Sequence, residues 1–183
     1  MKLRASISFP FVAGAFLALN AFAAAAQHVP IHGLTGTIAL QGNVEKIYDG
    51  VNTVVVKALD GTEHVMHVTK GTKVHGGAEA LAALQKGTPV VVHYTMNGAG
   101  ESTDEIDTIG PGGLKNTEGV VMGVDRVRKT ISVRYAGGSI ETLRLTHHAA
   151  TEGGTPTVKG NRVIVYYANE SGQKVAHYFK RKS

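Results

Sequence analysis

From residue 53 to residue 179 alternation of apolar side chains, and not helical periodicity, is the dominant pattern, in short β-rich runs broken by turn residues. Thr53-Val54-Val55-Val56-Lys57 runs into Asp60-Gly61 and then Glu63-His64-Val65-Met66-His67-Val68. Two β-rich runs around Asp-Gly predict a hairpin with a tight turn. Pro89-Val90-Val91-Val92-His93-Tyr94 predicts a further strand that stops at Asn97-Gly98, and strand patterns return at residues 120–124, 130–135, 140–146, 162–167 and 174–179. One stretch, residues 78–85, has helical character: Leu81 and Leu84 lie three apart among good helix formers. The pattern predicts a mostly-β protein.

The chain also repeats itself. Gly42, Val44 and Ile47 match Gly119, Val121 and Val124, and at the same offset Val54 and Val56 fall on Ile131 and Val133, and Gly61 on Gly138. Met66 and Val68 fall on Leu143 and Leu145. After a small deletion, Lys86-Gly87 meets Lys159-Gly160, and Val90 and Val92 meet Val163 and Val165. These matches in order, with glycines kept, indicate a duplicated unit, and Gly110-Pro111-Gly112-Gly113 reads as the linker. Each unit runs strand, strand, strand, connector, strand, strand. Five strands with a helix between the third and fourth is the layout of the OB-fold, a small Greek-key barrel. The expected domains are residues 34–109 and 114–183, each an OB-like five-stranded β-barrel, with a short helix in the first. The expected inward positions are Val54, Val56, Met66, Val68, Val90 and Val92, then Ile131, Val133, Leu143, Leu145, Val163 and Val165.

The N-terminus breaks the alternation. Lys2 and Arg4 precede an apolar stretch that closes in Ala23-Ala24-Ala25-Ala26, the basic, apolar and small-residue order of a secretory signal peptide. Residues 1–26 are therefore expected to be a leader and the rest to be periplasmic or secreted, with no membrane anchor once the leader is removed. The chain has no Cys, which excludes disulfides, thiolate chemistry and Cys-based zinc sites. The formal charge of +5 includes Lys2 and Arg4, so the exported part is only modestly basic. That falls short of a nucleic-acid footprint.

Enzymatic motifs are missing: there is no His-Glu-x-x-His, Gly-x-Ser-x-Gly or phosphate-cradling loop. Glu101, Asp104, Glu105 and Asp107 read as solvated positions on a loop or strand edge. The expectation is a non-catalytic binding or interaction module of the cell envelope, its partner an envelope protein or a glycan ahead of a small molecule. The oligomeric state is left open.

The motif order Gly-x-Val-x-x-Ile/Val, Thr-Val/Ile-x-Val, Asp-Gly, Val-Thr-x-x-Thr, Gly-Gly, Leu-x-x-Leu-x-x-Gly-x-x-Val-x-Val resembles exported bacterial OB-like barrel domains of unknown function. More distantly it is similar to the periplasmic copper chaperone of the copper/silver efflux pump. That resemblance implies a barrel of similar shape, and it implies a Cu(I) site of one His and two Met beside a Trp. Position by position the site does not carry over. The His position falls on Lys57 and about Arg134, the Met positions fall near Thr62 and His64 and near Ile140, Glu141 and Leu143, and the chain has no Trp.

Nine histidines keep an alternative open, a periplasmic copper- or zinc-binding protein using His and Met side chains. His64 and Met66 sit two apart on one strand and share a face. His28 is the third candidate ligand. Cleavage after Ala25 would place it third, where a free amine, two backbone amides and an imidazole bind Cu(II) in a square plane. No cofactor is expected beyond such a copper or zinc ion.

Overall fold

The structure is a computed structural model that describes residues 36–76, 81–97, 100–155 and 157–182. The expected leader and His28 lie outside the described residues. Ten strands run in chain order: β1 (Ile38–Tyr48), β2 (Thr53–Ala58), β3 (Glu63–His75), β4 (Pro89–Asn97), β5 (Gly100–Thr108), β6 (Lys115–Asp125), β7 (Thr130–Tyr135), β8 (Ile140–Thr151), β9 (Arg162–Glu170) and β10 (Gln173–Arg181). They close into two barrels, ordered β1-β2-β3-β5-β4 and β6-β7-β8-β10-β9. Each has one parallel pairing, β3 with β5 and β8 with β10, and is otherwise antiparallel. This is the OB-like barrel, twice.

The duplication extends to backbone detail. The first strand of each barrel shifts register at the same place, between Val44 and Lys46 and between Val121 and Gly123. Gly87 N–H donates to Val44 O and Gly160 N–H to Val121 O, at 2.7 and 2.8 Å. Asn52 and Lys129 both adopt positive φ, 48° and 52°, and their carbonyls accept from Val68 N–H and Leu145 N–H. The equivalent pairs Val54/Ile131 and Val92/Val165 are fully buried, each in its own core.

The connector in the first barrel is smaller than the expected helix. Its helical part is one 3₁₀ turn, Leu81–Ala83, with residues 77–80 outside the described set. Leu81 and Leu84 still pack on the first core. The three-residue spacing is thus a packing signal: it sets both leucines on the first core.

Gly42 and Gly119 occupy equivalent positions where the first strand bends. A Cβ on Gly42 would lie 2.4 Å from Lys57 O, and one on Gly119 would lie 2.3 Å from Val133 Cγ1. Gly42 meets backbone and cannot be relieved by a rotamer. Gly42→Ala is expected to cost about 1–3 kcal/mol, the usual cost of overpacking. A urea midpoint unchanged from wild type would show that the barrel absorbs the methyl group.

The two barrels share a third apolar cluster of Ala39, Val91, Leu114, Ala150, Tyr166 and Tyr178. Gly153 N–H donates to Ala39 O at 3.0 Å and Tyr166 Oη donates to Gln41 Oε1 at 3.0 Å, so main chain and side chains both cross the seam. The Gly110–Gly113 linker is a compact turn: Gly113 N–H donates to Gly110 O and Leu114 N–H to Thr108 O. Outward positions of β4, β5 and β10 thus become interior positions.

Candidate metal centre

Side chains alternate along a strand, so the outward partners of a barrel core are set by the core itself. On β4, Val92 and Tyr94 belong to the first core and His93 points the other way. On β5, Ile106 is core, and Glu105 and Asp107 flank it. Pairing places His93 and Lys73 on either side of Glu105, and Val91 and His75 on either side of Asp107. The second barrel brings His177 of β10 and Glu170 of β9 against this face.

The seam then holds a buried polar cluster. The side chains of His93, Asp107, His177 and Glu105 are 0%, 1%, 3% and 5% exposed. His177 Nδ1 lies 3.0 Å from Asp107 Oδ2 and 3.1 Å from Glu105 Oε1, and its Nε2 lies 2.9 Å from Glu170 Oε1. His93 Nε2 lies 3.2 Å from Asp107 Oδ2, and its Nδ1 lies 2.9 Å from the His148 carbonyl. All these partners are acceptors, so both nitrogens of each ring face oxygen.

Burial alone would push His177 down. The hydrogen bonds to Asp107 and Glu105 and the charges of both carboxylates outweigh it and push the imidazole up to about 10. Burial likewise raises Asp107, but hydrogen bonds from His177 and His93 and their charges hold its carboxyl well below the usual range. Asp107 is therefore a buried carboxylate, and its Oδ1 has no hydrogen-bond partner. Leaving such an acceptor unsatisfied costs about 1–3 kcal/mol, more for a charge.

Asp107 also lines a cavity of ≈ 520 Å³ between the barrels, together with Glu105, Glu170 and His177, and with His75, His147 and His148. His75 is half exposed at the mouth, with Nε2 4.0 Å from Glu105 Oε1. One donor atom each from His75, Glu105 and Asp107 fall within 4.8 Å of one another. Bonds of ~2.1 Å set neighbouring donors roughly 3.0–3.4 Å apart, so the group would draw together around an ion. His177 stands behind it, its N–H orienting both carboxylates, as partners behind metal ligands commonly do. One imidazole and two carboxylates suit a borderline divalent ion such as Zn(II) or Cu(II). They do not suit Cu(I), which prefers thioether and thiolate.

The residues singled out in the sequence lie elsewhere. His64 and Met66 share one side of β3, opposite Val56 and Val54. Met66 is fully buried in the first core, while His64 Nδ1 pairs with Glu101 Oε1 at 2.8 Å. Glu101, Asp104, Glu105 and Asp107, read from sequence as solvated positions on a loop or strand edge, lie on β5, and Glu105 and Asp107 are buried there rather than solvated. A signal was present: Val90-Val91-Val92 is apolar on both faces, which marks a strand covered on both sides.

No protein-family model matches the chain, and no curated protein matches it. Solved structures that it is similar to include silver-bound CusF, at 15% identity over 40% of this chain and 97% of that one, with a TM-score of 0.33. Apo-CusF from Escherichia coli is similar at 14% identity, over 41% and 96%, also with a TM-score of 0.33. Each covers about one barrel's worth of this chain. The seam cluster takes residues from both barrels. Among the described residues, no helix is long and apolar enough to cross a membrane.

Proposed function

We propose that this chain is a non-catalytic binding module of the cell envelope whose ligand is a divalent metal ion of the Zn(II) or Cu(II) class, held between the barrels by His75, Glu105 and Asp107. The observation that carries this reading is Asp107: a buried carboxylate with one oxygen unpartnered, at the wall of a cavity, beside a second carboxylate and an imidazole. A buried anionic oxygen without a donor, beside a cavity, favours a cation. The leader-like residues 1–26 support a place outside the cytoplasm, where the ion would be buffered or passed on.

Zinc is the discriminating probe, because an N-terminal His28 arrangement would take Cu(II) independently of the barrels. Calorimetry of EDTA-treated protein should show one equivalent of Zn(II), weakened at least about tenfold in His75→Ala. His75 is half exposed, so its removal leaves the fold intact. Loss of binding in His64→Ala, with none in His75→Ala, would move the site into the first barrel. No binding at all would sink the reading.

A further inference from the structure

The cavity is larger than a metal ion needs. At ≈ 520 Å³ it falls within the ~300–1,000 Å³ range of small-molecule sites. A three-ligand group also leaves coordination positions free, and all three ligand residues line the cavity. Cations line the cavity as well: Lys73, Lys129 and Arg144. Lys73 is two residues from His75 on β3 and so shares its face. Arg144 pairs with Thr130 and Val175 across β8, and Lys129 lies next to it, its carbonyl accepting from Leu145 N–H. All three are exposed, and among the described residues none forms an ion pair with a carboxylate.

The carboxylates that line the cavity, Glu105, Asp107 and Glu170, pair with His177 and not with these three cations. The cavity therefore has an anionic floor that takes a cation and an unpaired cationic rim that does not. A bare metal ion satisfies the floor alone. A small anion alone satisfies the rim but meets the floor carboxylates.

We propose that the cavity takes the metal together with a small polyanionic oxygen chelator of the carboxylate class, whose carboxylates fill the ion's free positions and reach Lys73, Lys129 and Arg144. This rests on the metal-binding reading above and names the form in which the ion arrives. Arginine offers a planar fork that matches a carboxylate bidentately, which gives Arg144 the more specific part of the contact. The two lysines add charge with less geometric demand. No bond is made or broken: the floor binds the metal, the metal binds the chelator, and the rim selects metal–chelate over metal alone.

The test is equilibrium dialysis of the full chain with labelled citrate, with and without Zn(II). Citrate should be retained at one equivalent only when zinc is present. In Lys73→Ala/Arg144→Ala, citrate retention should weaken at least about tenfold, while calorimetric binding of Zn(II) alone stays unchanged. Both substitutions are on exposed side chains, and an unchanged melting temperature confirms the fold. Zinc binding without citrate retention overturns this proposal and leaves the metal site standing. Citrate retained equally without zinc also overturns it, because the rim would then be a plain anion site. Phosphate retained in place of citrate would refute the carboxylate class. Absence of zinc binding overturns both readings together.

Discussion

Asp107→Asn should unfold at markedly lower denaturant, losing about 3–5 kcal/mol, the range expected when one partner of a buried ion cluster is removed. For a chain of this length that corresponds to roughly 10 °C in melting temperature. Volume is conserved, so the effect is not a cavity. The loss comes from His177 and His93, both almost without exposure, which share Asp107 Oδ2 as an acceptor. An amide there carries no charge to offset the His177 imidazolium, and its NH₂ replaces an oxygen. The cluster makes a sharper statement through a cycle: Asp107→Asn/His177→Gln should cost less than the sum of the single changes, since the second removes the charge that the first left unpaired. Asp104→Asn is the control. Burial raises the Asp104 carboxyl, opposed by the charges of His148 and His93, and its Oδ2 has no partner. Removing its charge should be neutral or slightly stabilising. A cost below about 1 kcal/mol for Asp107→Asn, or additivity in the cycle, would show that the seam is held by its apolar cluster alone.

The barrels were legible in the sequence and the seam was not, for one reason. A core leaves a periodic trace: Ile131 and Val133 alternate with polar neighbours, Met66 and Val68 flank polar His67, and the repeat places these core positions at one offset in both copies. Turn positions leave a trace too, as at Gly61 and Gly138, which adopt φ of 91° and 83°. The face between barrels leaves almost none. Glu105, Asp107, His93 and His177 occupy outward positions, and an outward polar residue on one barrel reads as solvated. Their burial comes from the second copy docking, which no local pattern encodes. Duplication itself held the clue that the two copies had diverged: His93 is matched by Tyr166, so the copies present different chemistry on the same outward strand position. His64 and Met66 drew attention because they sit close in sequence. His75 and Asp107 are far apart in sequence and meet only through the parallel pairing of β3 with β5.

Stability of the metal-free protein should fall as pH rises from about 7 to 9. His177 is raised to about 10 in the folded protein, against ~6.5 in an unfolded chain. Below ~6.5 both states hold the proton, and the stabilisation is fully present. Between ~6.5 and about 10 the folded state keeps a proton that the unfolded state has released, so stability declines with pH, at most by about 1.4 kcal/mol per unit. Asp107 has the opposite sign: its folded carboxyl is depressed, so its contribution is present above ~4 and is lost in acid as the carboxylate protonates. His148 is lowered by burial, which makes stability climb with pH up to ~6.5. Together these place the maximum near neutrality, with a downward limb above it. The groups around His177 that set this limb are Asp107 and Glu105 on β5, Glu170 on β9, His75 on β3 with its ring 6.4 Å away, and His93 on β4 through Asp107. Urea unfolding in EDTA at pH 7, 8 and 9 measures the slope before lysine and tyrosine ordinarily titrate. His177→Gln should flatten it while lowering stability at pH 7. A flat wild-type profile, or the same slope in His177→Gln, would mean that the imidazole is not held protonated by the two seam carboxylates.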